Sequence, residues 1–212
     1  MSTIRASYEN SVFINCPFDG HYKRIFDAIV FAVYDCGFIP RSALEAANDP
    51  VRLSRIIQII NDSLYAIHDL SRAGVDSKTG LARFNMPLEL GIFLGAKEFG
   101  GKRNARKTYL MLDRDRYRYQ RFISDLSGID PKAHNNKPDT AIIKVRDWLN
   151  DVTKVNFNIQ SGSIIAKKYK EFRKDLPGLT SDVGLKIKDL TYRDYCYVVQ
   201  EWLNQFPAWK RF

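Results

Sequence analysis

The sequence predicts an α/β domain in which a short parallel sheet of four or five strands is covered by helices on both faces, followed by a mostly helical C-terminal extension. Two observations predict it. As far as residue 113, short runs that are apolar at nearly every position alternate with longer stretches whose apolar residues recur at helical spacing. That is the pattern of strands buried on both sides and joined by crossover helices. Beyond residue 113 only the helical spacing recurs with strength.

The first strand is SVFINC, residues 11–16, and Pro17 closes it because proline cannot continue a central strand. Asp19 is placed to cap a helix over residues 20–36, in which Tyr22, Ile25, Phe26, Ile29, Val30 and Val33 share one side and Gly37 is the stop. Residues 38–41 form a second strand. Asp49-Pro50 opens a helix that buries Leu53, Ile56, Ile57 and Ile60. The run LYAIHD, residues 64–69, is a third strand, and a polar loop runs on to about Arg83. A helix over residues 86–99 ends at Gly100-Gly101, and TYLML, residues 108–112, is a fourth strand with Asp113 at its end. This alternation implies right-handed crossovers and, with room for only four or five strands, a three-layer flavodoxin-like order rather than a full dinucleotide fold. Further helices are expected at residues 117–126, 140–152, 164–176 and 192–206, with a loop at 128–139 and a weak fifth strand near 155–159. The expected division is an α/β unit over residues 1–127 and a basic helical extension over 128–212, separate or packed on the same domain.

Composition narrows the class. The chain has 212 residues, 45% hydrophobic and 27% charged, the balance of an ordinary globular protein. Its longest apolar run, residues 28–33, is far short of the ~20 residues of a membrane span. No apolar segment follows the N-terminus as in a secretory signal. The three cysteines are widely spaced without a C-x-x-C, and the three histidines are scattered. A disulfide framework or metal site is therefore not expected, and a reducing cytoplasmic setting is. The net charge of +9 is uneven: residues 1–100 hold 10 Lys/Arg against 11 Asp/Glu, and residues 101–212 hold 23 against 13. The basic half can attract nucleic acid or an acidic protein, or be a solvated surface. In RDRYRYQRF, residues 114–122, aromatics interleave with arginines. No G-x-G-x-x-G, no P-loop and no G-x-S-x-G occurs.

In an open parallel sheet, ligands bind outside the carboxyl ends of the strands. That rule selects Asn15-Cys16-Pro17-Phe18-Asp19, Arg41, Asp69-Leu70-Ser71-Arg72 and Asp113, with Arg83, Phe84, Asn85 and Glu89 from the loop and helix after the third strand. Helical spacing puts Leu88, Ile92 and Gly95 toward the sheet and Glu89 one position round, in the first turn. It is the only acid from Phe84 to Ala96. Burial raises the pKa of such a carboxyl and the helix dipole lowers it; it is either a reactive group or a favourable helix-start charge. Asp19 reads as a helix cap, Asp69 with Ser71 as a cap or a binder of ligand hydroxyls, and Arg41 and Arg83 as phosphate ligands or surface residues. Cys16 reads as a buried thiol, with no histidine placed to activate it.

These residues carry a resemblance. SVFINCPFD is similar to the first strand and loop of TIR-like domains. Asp69-Leu70-Ser71 after a strand, followed by Asn85-Met86-Pro87-Leu88-Glu89-Leu90-Gly91 opening a helix, resembles the nucleoside 2-deoxyribosyltransferase-like group. The resemblance covers residues 11–113. It implies chemistry at an N-glycosidic bond, with Glu89 attacking or stabilising the anomeric carbon while nicotinamide leaves NAD or a base leaves a nucleoside. A fixed carboxylate suits an oxocarbenium-like transition state. By the same resemblance, catalytic Asp69 and Ser71 bind ribose hydroxyls, Phe18 or Phe84 stacks on the base, and the loop of Cys16, Pro17 and Asp19 closes over the nucleotide. NAD or a nucleotide is then the substrate, no further cofactor is required, and the protein is a homo-oligomer, a defence effector or signal-producing enzyme. The Cys-Pro-Phe-Asp loop departs from the Ser-rich TIR loop, and the segment between Asp69 and Glu89 is long for a transferase. Two other functions fit the same residues: a nucleotide sensor without catalysis, and a nucleic-acid-associated protein acting through the basic half.

Overall fold

The computed structural model describes residues 5–47, 49–75, 80–121, 123–126, 128–153 and 159–206. Its five strands are β1 (Ser11–Asn15), β2 (Ile39–Ser42), β3 (Tyr65–Asp69), β4 (Thr108–Asp113) and β5 (Lys132–Ala133). They pair in the order β2-β1-β3-β4-β5, all parallel, with Val12 opposite Tyr65 and Tyr65 opposite Thr108. This is the flavodoxin-like order, in which the chain leaves β1 toward β2 on one side and β3 on the other.

The helices are α1 (Lys23–Asp35), α2 (Arg52–Asn61), α3 (Asn85–Phe99), the single turn α4 (Gly101–Asn104), α5 (Pro138–Val152), α6 (Gly162–Asp182) and α7 (Tyr192–Asn204). One face of the sheet packs on α2 and α3 through Phe13, Ile59, Ile60, Ala66 and Phe93. The other packs on α1 and α5, and α6 and α7 lie against α1 from outside. Covered on two sides, α1 is buried at every position from Ile25 to Tyr34. Phe31 stacks within 5.7 Å of Tyr169, Phe172 and Trp202, which belong to α6 and α7. One core thus runs from Val12 to Leu203, and the boundary expected after residue 127 falls within it. Gly37, at φ +88°, ends α1, where a side chain would be strained.

Three expected elements differ. Where an α-helix is expected over residues 117–126, the described residues form two short 3₁₀ turns, Arg118–Arg121 and Ser124–Leu126. Tyr117 has φ +59°, which a helix does not allow, and Arg118 is held by Asp113 and the Leu70 carbonyl. The fifth strand is Lys132–Ala133, within the stretch expected as a loop; residues 155–158 of the expected strand lie outside the described residues. Finally, α6 continues through Pro177 to Asp182 because Leu176 and Thr180 remain on its buried face. At the amino end of the sheet, the buried Lys107 ammonium donates to the Ile60 carbonyl (2.7 Å) and the Ser63 carbonyl, capping α2. No described helix is long and apolar enough to cross a membrane.

Candidate functional site

The loops after β1 and β3 diverge at the carboxyl edge of the sheet, the place where such folds bind ligands. Strand alternation decides where each side chain of β3 goes. Ile67 enters the core with α1 and α5, and His68 turns to the α3 face against Phe93 (ring centroids 5.2 Å). Asp69 returns to the α1/α5 face, fully buried. There the Tyr22 hydroxyl donates to Oδ2 (2.6 Å), the Ser71 N–H donates to Oδ1 (2.8 Å), and His134 Nε2 lies 3.0 Å from Oδ2. The Asn136 N–H donates to His134 Nδ1 (3.0 Å), so the ring keeps its proton on Nε2, toward Asp69. Burial by itself would raise the Asp69 pKa; His134, Ser71 and Tyr22 outweigh it and hold the carboxyl below its ordinary value.

Glu89 lies on the other face. With α3 starting at Asn85 it is the fifth helical residue, beyond the first turn expected for it. The buried side of α3 is Met86, Glu89, Leu90 and Phe93, while Leu88 is 52% exposed. The expected wheel is therefore rotated by one residue: Glu89 faces inward and Leu88 outward. Asn15 makes this docking. Its amide nitrogen donates to the Met86 carbonyl (2.8 Å) and lies 2.9 Å from His68 Nδ1, tying α3 to the end of β1. Glu89 Oε2 is buried without a hydrogen-bond partner. Burial pushes the carboxyl up to about 7, against a smaller opposing effect of Arg52. His68 is held neutral, its pKa lowered to about 3 by burial.

The remaining candidates divide. Cys16 is 2% exposed, and burial, then the charges of Asp69 and Glu89, keep it a thiol; it is a wall between the two carboxyls. Asp19 Oδ1 accepts from the N–H groups of His21 and Tyr22 (both 3.1 Å). Its Oδ2 draws in Arg83 Nη1 at 2.8 Å and Arg72 Nε at 3.6 Å. It therefore closes the turn before α1, whose N-cap is Tyr22 with no side-chain cap, instead of capping the helix as expected, and it gathers two arginines at the β1 loop. Arg41 is not brought to the site, because its guanidinium grips Glu45 on the edge strand, with Nε–Oε1 2.9 Å and Nη2–Oε2 2.8 Å. Phe18 packs edge-on against Phe26 at 5.6 Å and lines, with Pro17, Tyr192 and Tyr195, a small cavity of about 230 Å³. Phe84 and Asn85 are exposed at the start of α3. Asp69, with both oxygens engaged and no exposure, orders the end of β3.

A cavity of about 420 Å³ opens on the α1/α5 face, lined by Tyr22, Arg24, Ser71, Arg72, Arg114 and Asn136 among others. Of these, Ser71 and Arg72 are among the residues selected at the strand ends, and Arg114 belongs to the basic aromatic run 114–122. Tyr22 was hidden by counting as one more apolar position of α1. His134 gives no signal in a polar loop, and Asn15, selected at the end of the first strand, gives none of its hold on α3. Among the described residues no group of three or more His, Cys, Asp or Glu could hold a metal ion. Compared with known proteins, the chain matches no family model, no curated protein and no solved structure.

Proposed function

We propose that the protein cleaves or transfers the N-glycosidic bond of NAD or a related nucleotide or nucleoside, with Glu89 as the acting carboxyl. One observation carries this reading: a carboxyl at the switch-point end of the sheet, buried, with one oxygen unpartnered and its pKa near 7. Such a group exchanges protons near neutral pH and, when ionised, meets a cationic sugar with little water to screen it. Asn15 fixes the helix that carries Glu89, and Asp19 with Arg83 orders the loop beside it. Asp69 acts as a positioning residue through Tyr22 and Ser71. A second reading, binding a nucleotide without cleaving it, is favoured by the cavity at Ser71, which has no acidic side chain among its described lining residues.

The test is to incubate the protein with NAD and with a panel of nucleosides and to measure released base. Glu89→Gln is expected to reduce release by a hundredfold or more, and the wild-type rate should change with an inflection near pH 7. Release that is unaffected by Glu89→Gln would sink the catalytic assignment; no release, with nucleotide binding retained, would favour the second reading.

A further inference from the structure

The cavity at Ser71 is separated by the sheet from the Glu89 carboxyl, so the chemistry proposed for Glu89 leaves it without a role. Its wall is cationic, with Arg24, Arg72 and Arg114. Ser71 forms part of its base. That residue is 5% exposed, and its hydroxyl has no hydrogen-bond partner. Its N–H is already given to Asp69, so the hydroxyl is the group left to bond. A buried hydroxyl without a partner costs about 1–3 kcal/mol, which a ligand oxygen relieves. Pro138, the first residue of the 15-residue helix α5, also lines the cavity, and no side chain caps that helix. Pro138 itself has no N–H; the dipole favours an anion there, although Asp139 in the first turn, paired with Lys170, already meets part of it. Arg114 is shared with a neighbouring concavity of about 480 Å³, lined also by Arg116, Arg118 and Arg121.

The nearby acids do not cancel this charge. Asp69 is buried beneath the cavity and its oxygens face Tyr22, Ser71 and His134. Asp115 holds Arg114 at 2.8 Å and Asp19 stands 3.6 Å from Arg72, but both arginines are 43% exposed or more. Exposed pairs of this kind are worth ~1 kcal/mol or less, so either guanidinium can turn to a ligand.

We propose that this cavity is a second ligand site, which binds a small molecule carrying two or more phosphates. The first phosphate lies on the Ser71 hydroxyl, Arg72 and Arg114, and the next extends toward Arg116 and Arg121. Planar guanidinium forks match phosphate oxygens, and a chain of phosphates spans the two concavities that Arg114 joins. The site stands whether or not Glu89 cleaves a glycosidic bond.

Inorganic pyrophosphate is the probe, read by calorimetry and by the shift in melting temperature at physiological ionic strength. Wild-type protein is expected to bind it. Arg72→Gln/Arg114→Gln should weaken binding at least tenfold, and Ser71→Ala several-fold. Arg116→Gln/Arg121→Gln should weaken pyrophosphate more than monophosphate. Glu89→Gln should bind pyrophosphate like wild type, so a failure of the catalytic reading leaves this result untouched. Should the double arginine variant not fold, Ser71→Ala carries the test, because the hydroxyl it removes supports nothing in the unliganded protein. No binding at millimolar pyrophosphate overturns the proposal, as does unchanged affinity in the folded variants. An oligonucleotide that binds far more tightly than pyrophosphate, with a steep salt dependence, also overturns it and assigns the arginines to a nucleic-acid strand.

Discussion

Asp69 and Glu89 are both buried carboxyls near the same edge of the sheet, and both act on the Cys16 thiol, yet the protein treats them in opposite ways. Asp69 meets two hydrogen-bond donors and the His134 ring and is held ionised. Glu89 has an oxygen with no partner and is pushed toward its neutral form. The difference teaches what burial alone cannot tell: a carboxyl surrounded by donors is part of the scaffold, and one left short of donors is available for chemistry. The two stand on opposite faces of the sheet, so each can be changed without rebuilding the other.

The sharpest way to break this comparison is Asp69→Asn. An amide presents its own N–H groups to a hydroxyl and an imidazole that already point donors inward, so the expected loss is about 3 kcal/mol in urea unfolding at neutral pH. A loss below about 1 kcal/mol would show that Asp69 is not the anchor described. Glu89→Gln should act with the other sign. The folded pKa of Glu89, about 7, lies above its unfolded value. Its contribution is therefore unfavourable above pH 7 and fades as pH falls to about 4, where the group is protonated in both states. The variant is expected to be more stable than wild type by about 2 kcal/mol at pH 8, and the two should converge near pH 4. Asp69 has a lowered pKa. The stability it gives is present above the ordinary carboxylate pKa of about 3.9 and is lost as the pH falls further through its folded value. Comparing wild type with Asp69→Asn below pH 4 should show that loss. The smallest effect belongs to Arg41→Gln, which breaks the part-buried, bidentate pair with Glu45. A loss of about 1 kcal/mol, with base release intact, is expected; impaired release would return Arg41 to the site.

Much of this architecture is legible in the sequence. Residues 11–16, 64–69 and 108–112 read as strands because they are apolar enough to be buried on both faces, and Pro17, Gly37 and Gly100 punctuate them; the strands observed lie within a residue of these bounds. Glu89 was found for its isolation among apolar neighbours, but its orientation was not legible. The segment LELGIFLG is apolar nearly all round, so spacing cannot choose the inward side, and Asn15, which makes the choice, is 71 residues from Met86. His134 reaches Asp69 from a two-residue strand in a polar loop, too short to leave a pattern. Residues 117–126 look helical by spacing, but the left-handed backbone at Tyr117 sets a local geometry that periodicity does not report.

The burial of α1 along every residue from Ile25 to Tyr34 has a consequence for synthesis. The helix leaves the ribosome before α6 and α7, which cover its outer side and come later in the chain. At about 5–20 residues per second, the apolar flank around Phe31 waits on the order of ten seconds for Phe172 and Trp202 to arrive. During that interval the nascent chain presents a sticky helix to its surroundings. A chain stopped after residue 127 would keep it exposed permanently.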